Sequence, residues 1–186
     1  MFTGKQWRAI ASLAHKCETR KALTMISVKD EEVAVTNTVV ALRIKTPYFV
    51  CEQEILMPAK LTKSMKATAS YSIDASNADE KGVLLHEVEK GFHTGLTQVV
   101  PEVENIYFPN IRKLIEDTIK SEVASEGFRA TCKNLTLAFK ALDALGAEHV
   151  YVKQYEPNRP IHITGTIDED MPFHMLVMAH VERTST

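Results

Sequence analysis

The chain has 186 residues, in which 22 Lys plus Arg stand against 24 Asp plus Glu for a net charge of −2. This length accommodates one domain or two small ones, and 45% hydrophobic with 25% charged residues is typical of a folded globular protein rather than a disordered chain. A near-neutral total argues against a protein that is basic over its whole surface and binds nucleic acid everywhere.

Targeting signals and disulfide patterns do not stand out in the sequence. Residues 1–14 contain no continuous apolar core of a signal peptide, and no run approaches the roughly 18 apolar residues of a membrane span. The three cysteines, Cys17, Cys51 and Cys132, are far apart and form no CxxC pair, which argues against a disulfide framework or a zinc knuckle. We therefore expect a cytoplasmic protein that does not interact with membranes.

The first segment has a helical period over residues 3–17, with Thr3 placed to cap its N-terminus. The apolar positions of one face are Trp7, Ile10, Ala11 and Ala14. After this helix the period changes to two, which predicts strands. The predicted strands are residues 22–29, 33–37 and 39–46, with a turn at 30–32.

The same order of elements recurs from residue 52. A strand at 52–57 leads into Pro58, which suits the first turn of a helix, and a helix is predicted at 59–68. Its apolar side consists of Met57, Leu61 and Met65. The strands that follow are predicted at 70–75, 83–89 and 92–100, with a tight turn at Lys90-Gly91.

A third recurrence begins with a predicted strand at 127–131 and a helix at 133–145, for which Gly146 is the C-terminal cap. The inward face of this helix is predicted to be Leu135, Ala138, Phe139, Leu142 and Leu145. The strands that follow are predicted at 148–155, 160–167 and 172–182, with turns at 157–159 and 168–170.

The chain therefore reads as three copies of one β-α-β-β-β unit, each of roughly 50 residues. We expect an α+β fold with antiparallel sheets outside and helices on one face. Residues 1–100 are predicted to form a domain of two units, and residues 127–186 a third unit. Between them, residues 101–126 are predicted to be a connector with one helical segment, Ile111 to Ile119.

Charge is divided unevenly among these elements. The three predicted helices, taken as residues 3–17, 58–68 and 132–145, carry eight basic residues and the single acid Asp143, whereas the rest of the chain carries 14 basic and 23 acidic residues. The helices thus have a charge of +7 and the remainder −9. Every soluble helix has a solvated face, but three helices almost free of acids favour one basic surface for a phosphate backbone.

The basic side chains predicted to contact DNA are Lys5, Arg8, Lys60, Lys63, Lys66, Lys133 and Lys140. No cluster of Asn, Gln and Arg stands at a helix N-terminus, as it would in a helix that reads bases in the major groove. We therefore expect contact with double-stranded DNA that does not depend on sequence.

The order of local motifs resembles that of the bacterial DNA polymerase III β subunit, the DNA sliding clamp. Residues 1–115 resemble the middle domain of that family, through Val33-Ala-Val-Thr-Asn37, Val40-Ala-Leu-Arg43, Ile55-Leu-Met-Pro58 and Phe108-Pro-Asn-Ile-Arg-Lys-Leu-Ile115. Residues 127–183 resemble the final half of the last domain, with Leu176-Val-Met-Ala-His-Val181 as its tail. The family chain has six such halves and this one has three, so the resemblance implies a shortened version of phage or prophage type.

The resemblance implies a processivity factor that slides on DNA, tethers a replicative polymerase, and assembles as a homo-oligomer. It also implies a groove for peptide motifs of DNA polymerase or the clamp loader. The matching groove positions are Thr36, Val39, Pro58, Thr62, Val177, Met178 and His180. The Gly-His-Arg of the family's turn and the Pro of its tail are absent, so a changed specificity is expected. An alternative is a phage-encoded adaptor with the clamp fold that engages host replication proteins without encircling DNA.

Catalytic and metal sites have little support in the sequence. His162, His174 and His180 lie on neighbouring predicted strands, but no carboxylate or cysteine has a matching spacing. Asp168-Glu-Asp170 lacks the spacing of an EF-hand loop, and no third group orients Cys132 and His149 as nucleophile and base. Since there is also no P-loop and no GxGxxG, we expect no metal, no cofactor and no enzymatic activity.

Overall fold

A computed structural model describes residues 1–49, 51, 53–75, 83–89, 92–101, 103, 106–120, 130–156, 159–168 and 170–179. The predicted turn at Lys90-Gly91 and most of the predicted strand at 127–131 lie outside these residues. Within them, no helix is long and apolar enough to cross a membrane.

The strands of the described chain, in order, are β1 (Phe2–Thr3), β2 (Met25–Lys29), β3 (Glu32–Thr36), β4 (Val40–Lys45), β5 (Ile55–Pro58), β6 (Ser70–Asp74), β7 (Val83–Glu89), β8 (Phe92–Val100), β9 (Val150–Gln154), β10 (Ile161–Ile167) and β11 (Met171–Val177). The α-helices are α1 (Gly4–Ser12), α2 (Ile111–Ile119) and α3 (Cys132–Leu145). Two 3₁₀ helices span Glu18–Thr24 and Ala59–Ser64.

The strands form two antiparallel sheets. The small sheet has the order β1-β6-β7-β8, and the large sheet has the order β5-β2-β3-β4-β11-β10-β9. We call β1 to β4 with α1 the first unit, β5 to β8 with the second 3₁₀ helix the second unit, and α3 with β9 to β11 the third unit. The first and second units exchange their leading strands, since β1 pairs with β6 and β5 pairs with β2.

The helical elements lie side by side, with α1 between α3 and the 3₁₀ helix Ala59–Ser64. Thr3 forms a capping box with Gln6, as its predicted role as N-cap requires. Gly4 permits a very close approach, because a Cβ at this position would lie 2.1 Å from the carbonyl oxygen of Lys66. Glycine at the start of α1 therefore lets the helix pack against the chain that follows the 3₁₀ helix.

The main hydrophobic core lies between these helical elements and both sheets. Its most densely aromatic part joins Trp7 to Phe2 and Phe49, with ring centroids 5.4 and 5.7 Å from the indole. A second, smaller cluster lies on the opposite face of the large sheet, where α2 packs. Its members are Ala41, Ile111, Ile115 and Leu176. Because neighbouring residues of a strand point to opposite faces, β4 contributes to both clusters.

The predicted helix at 59–68 is wrong in type and length, since the structure has a 3₁₀ helix over Ala59–Ser64. The Thr62 hydroxyl donates to the carbonyl oxygen of Ala59, and the Ser64 hydroxyl donates to that of Leu61. Such local bonds from hydroxyl groups compete with the i→i−4 pattern, and three-residue turns satisfy the backbone instead.

The first predicted helix is also too long, because α1 ends at Ser12 rather than at residue 17. The amides of Leu13 and Ala14 bond three residues back, and the amide of His15 donates to the carbonyl oxygen of Leu23, outside the helix. Residues 18–24 are a 3₁₀ helix, so the next strand begins at Met25 rather than at residue 22.

The third unit agrees with prediction at the C-terminal end of α3 and on most of its inward face, since Ala138, Leu142 and Leu145 are buried and Leu135 packs against the core. Gly146 caps the helix with φ of 90°, in the left-handed region that favours glycine. Phe139 is 40% exposed and does not point inward as predicted. The packed face is centred on Ala138, Ala141 and Leu145, and Phe139 is turned about 100° from it.

Candidate nucleic-acid interface

One side of the molecule is formed by the three helical elements α1, Ala59–Ser64 and α3. Each buries an apolar face in the main core, so their opposite faces are directed to the same side. Within their observed bounds these elements contain six basic residues and one acid, Asp143. The exposed lysines of this side are Lys5, Lys60, Lys63, Lys133 and Lys140. We call these five residues the lysine face.

Two other predicted DNA contacts have partners within the protein. The Arg8 guanidinium is half-buried and donates to the carbonyl oxygen of Met65. The Lys66 ammonium donates to the buried carboxylate of Glu87 at 2.9 Å, and this hydrogen bond raises the pKa of Lys66. Arg8 therefore links α1 to the chain that follows the 3₁₀ helix, and Lys66 links that segment to β7 of the small sheet. The five members of the lysine face have no ion-pair partner among the described residues.

Five of the positions predicted for a peptide groove lie at one end of the large sheet, namely Thr36, Val39, Pro58, Val177 and Met178, and Thr62 lies in the 3₁₀ helix that follows Pro58. Pro58 pairs with Met25, Thr36 pairs with Ala41, and Ala41 also faces Leu176, so one row crosses five neighbouring strands. Four strand spacings give this row a length of about 19 Å. The amide of Met178 donates to the carbonyl oxygen of Val39 at 2.8 Å, which places these two residues side by side.

Burial separates the groove positions into two groups. The buried side chains are Thr36, Pro58, Thr62 and Val177. Val39 is half-buried and Met178 is 41% exposed, so these two are the accessible members. His180 lies outside the described residues.

The outer face of the large sheet has a pocket of about 310 Å³ beside the start of α2, which the sequence did not indicate. Arg43 forms a two-bond ion pair with Glu32 at its wall, with Nε 2.7 Å from Oε2. Burial raises the pKa of Glu32, but the hydrogen bond and the positive charge of Arg43 outweigh it and leave this pKa below the usual value. The sequence signal for this ion pair is the presence of opposite charges, Glu32 and Arg43, on the two adjacent predicted strands 33–37 and 39–46 and their flanking turn.

Two of the three histidines weighed as metal ligands form a stacked pair on this outer face. Nε2 of His162 lies 3.0 Å from Nδ1 of His174, and their rings are nearly parallel. Burial is the main cause that lowers the pKa of His162 to about 4, and the positive charges of His174 and Lys153 lower it further. Among the described residues, no three histidine, cysteine or acidic side chains are grouped as metal ligands.

The other catalytic and cation-binding candidates of the sequence are either far apart or already hydrogen-bonded within the protein. Cys132 begins α3 and His149 follows its end, so the 14-residue helix holds them about 20 Å apart, too far to act as nucleophile and base. The carboxylate of Asp168 accepts a hydrogen bond from the Gln6 amide at 2.6 Å and thus links the β10–β11 turn to α1.

Comparison with known proteins gives a match in structure alone. No protein-family model and no curated protein sequence matches the chain. Among solved structures, the beta clamp of Helicobacter pylori, crystallised with 3,4-difluorobenzamide, matches with a TM-score of 0.57 over 96% of this chain. The fold is clamp-like. The two sequences are 14% identical, and this clamp-like chain spans 63% of the length of the Helicobacter pylori chain.

Proposed function

We propose that this protein is a sliding-clamp-like processivity factor in DNA replication, with no catalytic activity of its own. In this proposal the helical side contacts duplex DNA and the opposite parts of the molecule carry a polymerase or another client. The observation that supports it best is the lysine face: five exposed lysines on adjacent helical elements, with one acid among them.

The chemistry of the lysine face suits weak and exchangeable contact. Lysine presents a flexible point charge that binds any phosphate and carries no information about bases. The rest of the chain is acidic in total, which repels DNA elsewhere and confines contact to one side. In this proposal Arg8 and Lys66, with their internal partners, position the helical elements and contribute less to DNA contact than the lysine face.

The repeated architecture accounts for the proposed assembly. The exchange of leading strands between the first and second units favours residues 1–100 as one clamp-like domain. The third unit continues the large sheet through β11 and β4, while α2 in the 101–126 connector covers the outer face at that junction. We propose that several copies of this phage-type chain complete a ring that a single chain leaves open.

The client site of this proposal is the end of the large sheet at Val39 and Met178. The side chains of these two residues are accessible, and a backbone hydrogen bond holds the residues side by side. A peptide would therefore contact a fixed apolar edge. Peptide motifs of a DNA polymerase or a clamp loader are the expected partners. A Met178→Asp variant is expected to lose binding of such peptides without a change in DNA retention.

The experiment that tests DNA contact is a charge reversal on two matched surfaces. Lys60→Glu with Lys63→Glu changes the lysine face by four charge units, and Arg112→Glu with Lys113→Glu makes the same change on exposed positions of α2. Retention on duplex DNA is measured as a function of salt. We expect the first variant to lose retention, with the log–log salt slope reduced by about two, and the second to retain DNA as the unmodified chain does.

Equal retention by both variants would contradict the DNA contact and favour the adaptor alternative, in which the clamp fold binds host replication proteins without DNA. A thermal melt of each variant shows whether the fold is intact, since exposed lysines without partners contribute little to stability. Equal loss in both variants would also count against the lysine face, because the effect would then follow total charge.

A further inference from the structure

The pocket on the outer face of the large sheet has a floor and a wall that the fold holds in place. Its floor crosses β2, β3 and β4 at the register neighbours Ser27, Ala34 and Arg43, and each of these strands is paired on both sides. Its wall is formed by residues 108–112, which are anchored by the buried side chain of Ile111 in the cluster beneath α2. A cavity of about 310 Å³ lies at the lower end of the size range of ligand pockets, and such pockets are largely formed before a ligand binds.

The charged side chains of this pocket indicate which kind of ligand it favours. Three acidic and three basic residues line it: Asp30, Glu32, Glu54, Lys29, Arg43 and Arg112. Two pairs compensate each other within the pocket, since Arg43 is bonded to Glu32, and Lys29 lies 4.0 Å from Asp30. The charges that remain for a ligand are those of Glu54 and Arg112. A ligand of one sign would be repelled by one of these two residues, so the lining favours a ligand that carries both signs.

Glu54 and Arg112 lie on opposite sides of the pocket. Glu54 precedes β5, and one of its carboxylate oxygens accepts a hydrogen bond from the Ser27 hydroxyl at 2.6 Å, while the other has no partner among the described residues. Arg112 lies in the first turn of α2, which packs over β4, and its charge helps to keep the pKa of Glu32 below the usual value. Its own partner, Glu116, is 3.3 Å away in an exposed pair outside the pocket, and such pairs are weak.

We propose that this pocket binds an extended peptide segment of a partner protein in which one residue separates a basic from an acidic side chain. The basic side chain contacts Glu54, and the acidic one contacts Arg112. The floor crosses two strand spacings, about 10 Å, and alternate side chains of an extended chain are about 7 Å apart on one face, so both charges fit within the pocket. Ala34 leaves room at the middle of the floor, and Phe108 gives the wall an apolar surface. The inference goes beyond the proposed function and depends neither on DNA contact nor on ring assembly.

The first experiment compares three peptides with blocked termini, so that only side-chain charges differ. Acetyl-Lys-Ala-Glu-amide carries both charges, whereas acetyl-Lys-Ala-Gln-amide and acetyl-Gln-Ala-Glu-amide carry one each. Binding to the full chain is measured by NMR titration. The first peptide is expected to shift the amides of Ala34 and Arg112 and not that of Tyr151 on the distant edge strand β9. Each single-charge peptide is expected to bind about fivefold more weakly. Equal affinity for all three, or no shift at several millimolar of the first, would overturn the inference.

The second experiment alters the pocket. Ala34→Met fills the floor without a change in charge and is expected to weaken binding of the doubly charged peptide about tenfold, because the added side chain occupies the space that the peptide needs. Thr166→Met is the matched control, since it adds the same side chain at an exposed position on the same face of β10. A folded Ala34→Met chain that binds as the unmodified chain does would contradict the site.

Glu54→Gln, at an exposed position, tests the assigned contact and decides the question even if Ala34→Met fails to fold. It is expected to weaken acetyl-Lys-Ala-Glu-amide about fivefold and to leave acetyl-Gln-Ala-Glu-amide unchanged, because the second peptide has no basic side chain for Glu54 to contact. An equal loss for both peptides would mean that Glu54 does not contact the basic side chain, and the proposed orientation of the peptide would be wrong.

Discussion

The two faces of the large sheet carry charge in different ways. On the helical side, the lysine face has no acidic partner within the part of the chain that the structure describes, so its field extends into solvent. On the outer side, Arg43 is bonded to Glu32, and on α2 Arg112 lies 3.3 Å from Glu116. Both sides are rich in charged residues, and the difference lies in pairing. A surface meant for a phosphate backbone requires unpaired cations, whereas paired charges mainly keep a surface soluble.

Hydrophobic packing differs between the same two faces. The helical side covers a core that spans both sheets and includes the fully buried Trp7, whereas α2 covers a cluster centred on Ile115. The helical side is thus required for the fold as a whole, and α2 adds a smaller, local contribution. Variants that remove one residue from each region measure this difference.

The largest expected effect follows truncation of the aromatic core. Trp7→Ala removes a fully buried indole and is expected to lower the free energy of unfolding by about 3–5 kcal/mol, whereas Ile115→Ala beneath α2 is expected to cost about 2 kcal/mol. Urea denaturation measures both. Leu114→Ala is the control on α2, because this side chain is half exposed. Equal losses for Trp7 and Ile115 would mean that both faces contribute alike to the fold.

The next effect concerns pH and the stacked histidines of the outer face. His162 has a pKa of about 4 in the folded protein and about 6.5 when unfolded, so the unfolded chain binds more protons between these values. Its contribution is therefore complete above pH 6.5 and is lost as the pH falls towards 4. His174, whose pKa is lowered mainly by burial, acts in the same direction.

We expect His162 to account for about 2–3 kcal/mol of the stability lost between pH 7.5 and pH 4.5. Urea denaturation at both pH values compares the unmodified chain with His162→Gln, which should lose correspondingly less. His149→Gln is the matched control, because it makes the same replacement at an exposed histidine. If His162→Gln lost as much stability as the unmodified chain, the pH dependence would lie in other groups.

Local chemistry explains which elements could be predicted. The bounds of β7 and β8 were predicted correctly because alternation and flanking turn residues mark both ends. The prediction of an α-helix at 59–68 is wrong because Lys60, Lys63 and Lys66 repeat every three residues, a spacing that suits a 3₁₀ helix as well as one side of an α-helix. Side-chain spacing alone does not distinguish the two over so short a segment.

The candidate site was less accessible to sequence reasoning, because partners far apart in the chain decide the role of each cation. Lys66 meets Glu87, which is 21 residues away, and Arg8 meets Met65, which is 57 residues away. Neither spacing belongs to a local motif, so all seven basic residues looked alike in the sequence. Contacts between residues that are distant in sequence distinguish the lysine face from the two cations that support the fold.

A smaller effect tests how α3 joins the helical side to the turn between β10 and β11. Gly146 has φ of 90°, and a Cβ there would lie 2.9 Å from a carboxylate oxygen of Asp168. Gly146→Ala is therefore expected to lower the free energy of unfolding by about 1–2 kcal/mol, measured by urea denaturation. Ala147→Gly is the control beside it, and it should cost less because it imposes no left-handed backbone on a side chain. A neutral Gly146→Ala would show that the turn yields to the methyl group.

The smallest effect distinguishes two lysines that the sequence treats as equivalent. Lys66→Ala removes the cation bonded to the buried carboxylate of Glu87, which then keeps only the Tyr71 hydroxyl as a side-chain donor, at 3.4 Å, so the fold is destabilised. Lys60→Ala removes an exposed cation with no described partner, so the melting temperature should stay unchanged while retention on duplex DNA weakens. We therefore expect Lys66→Ala to lower the melting temperature by less than Gly146→Ala does, and to reduce DNA retention less than Lys60→Ala does. If the two variants changed stability and DNA retention equally, pairing with Glu87 would not divide structural lysines from DNA contacts, and the lysine face would have to include Lys66.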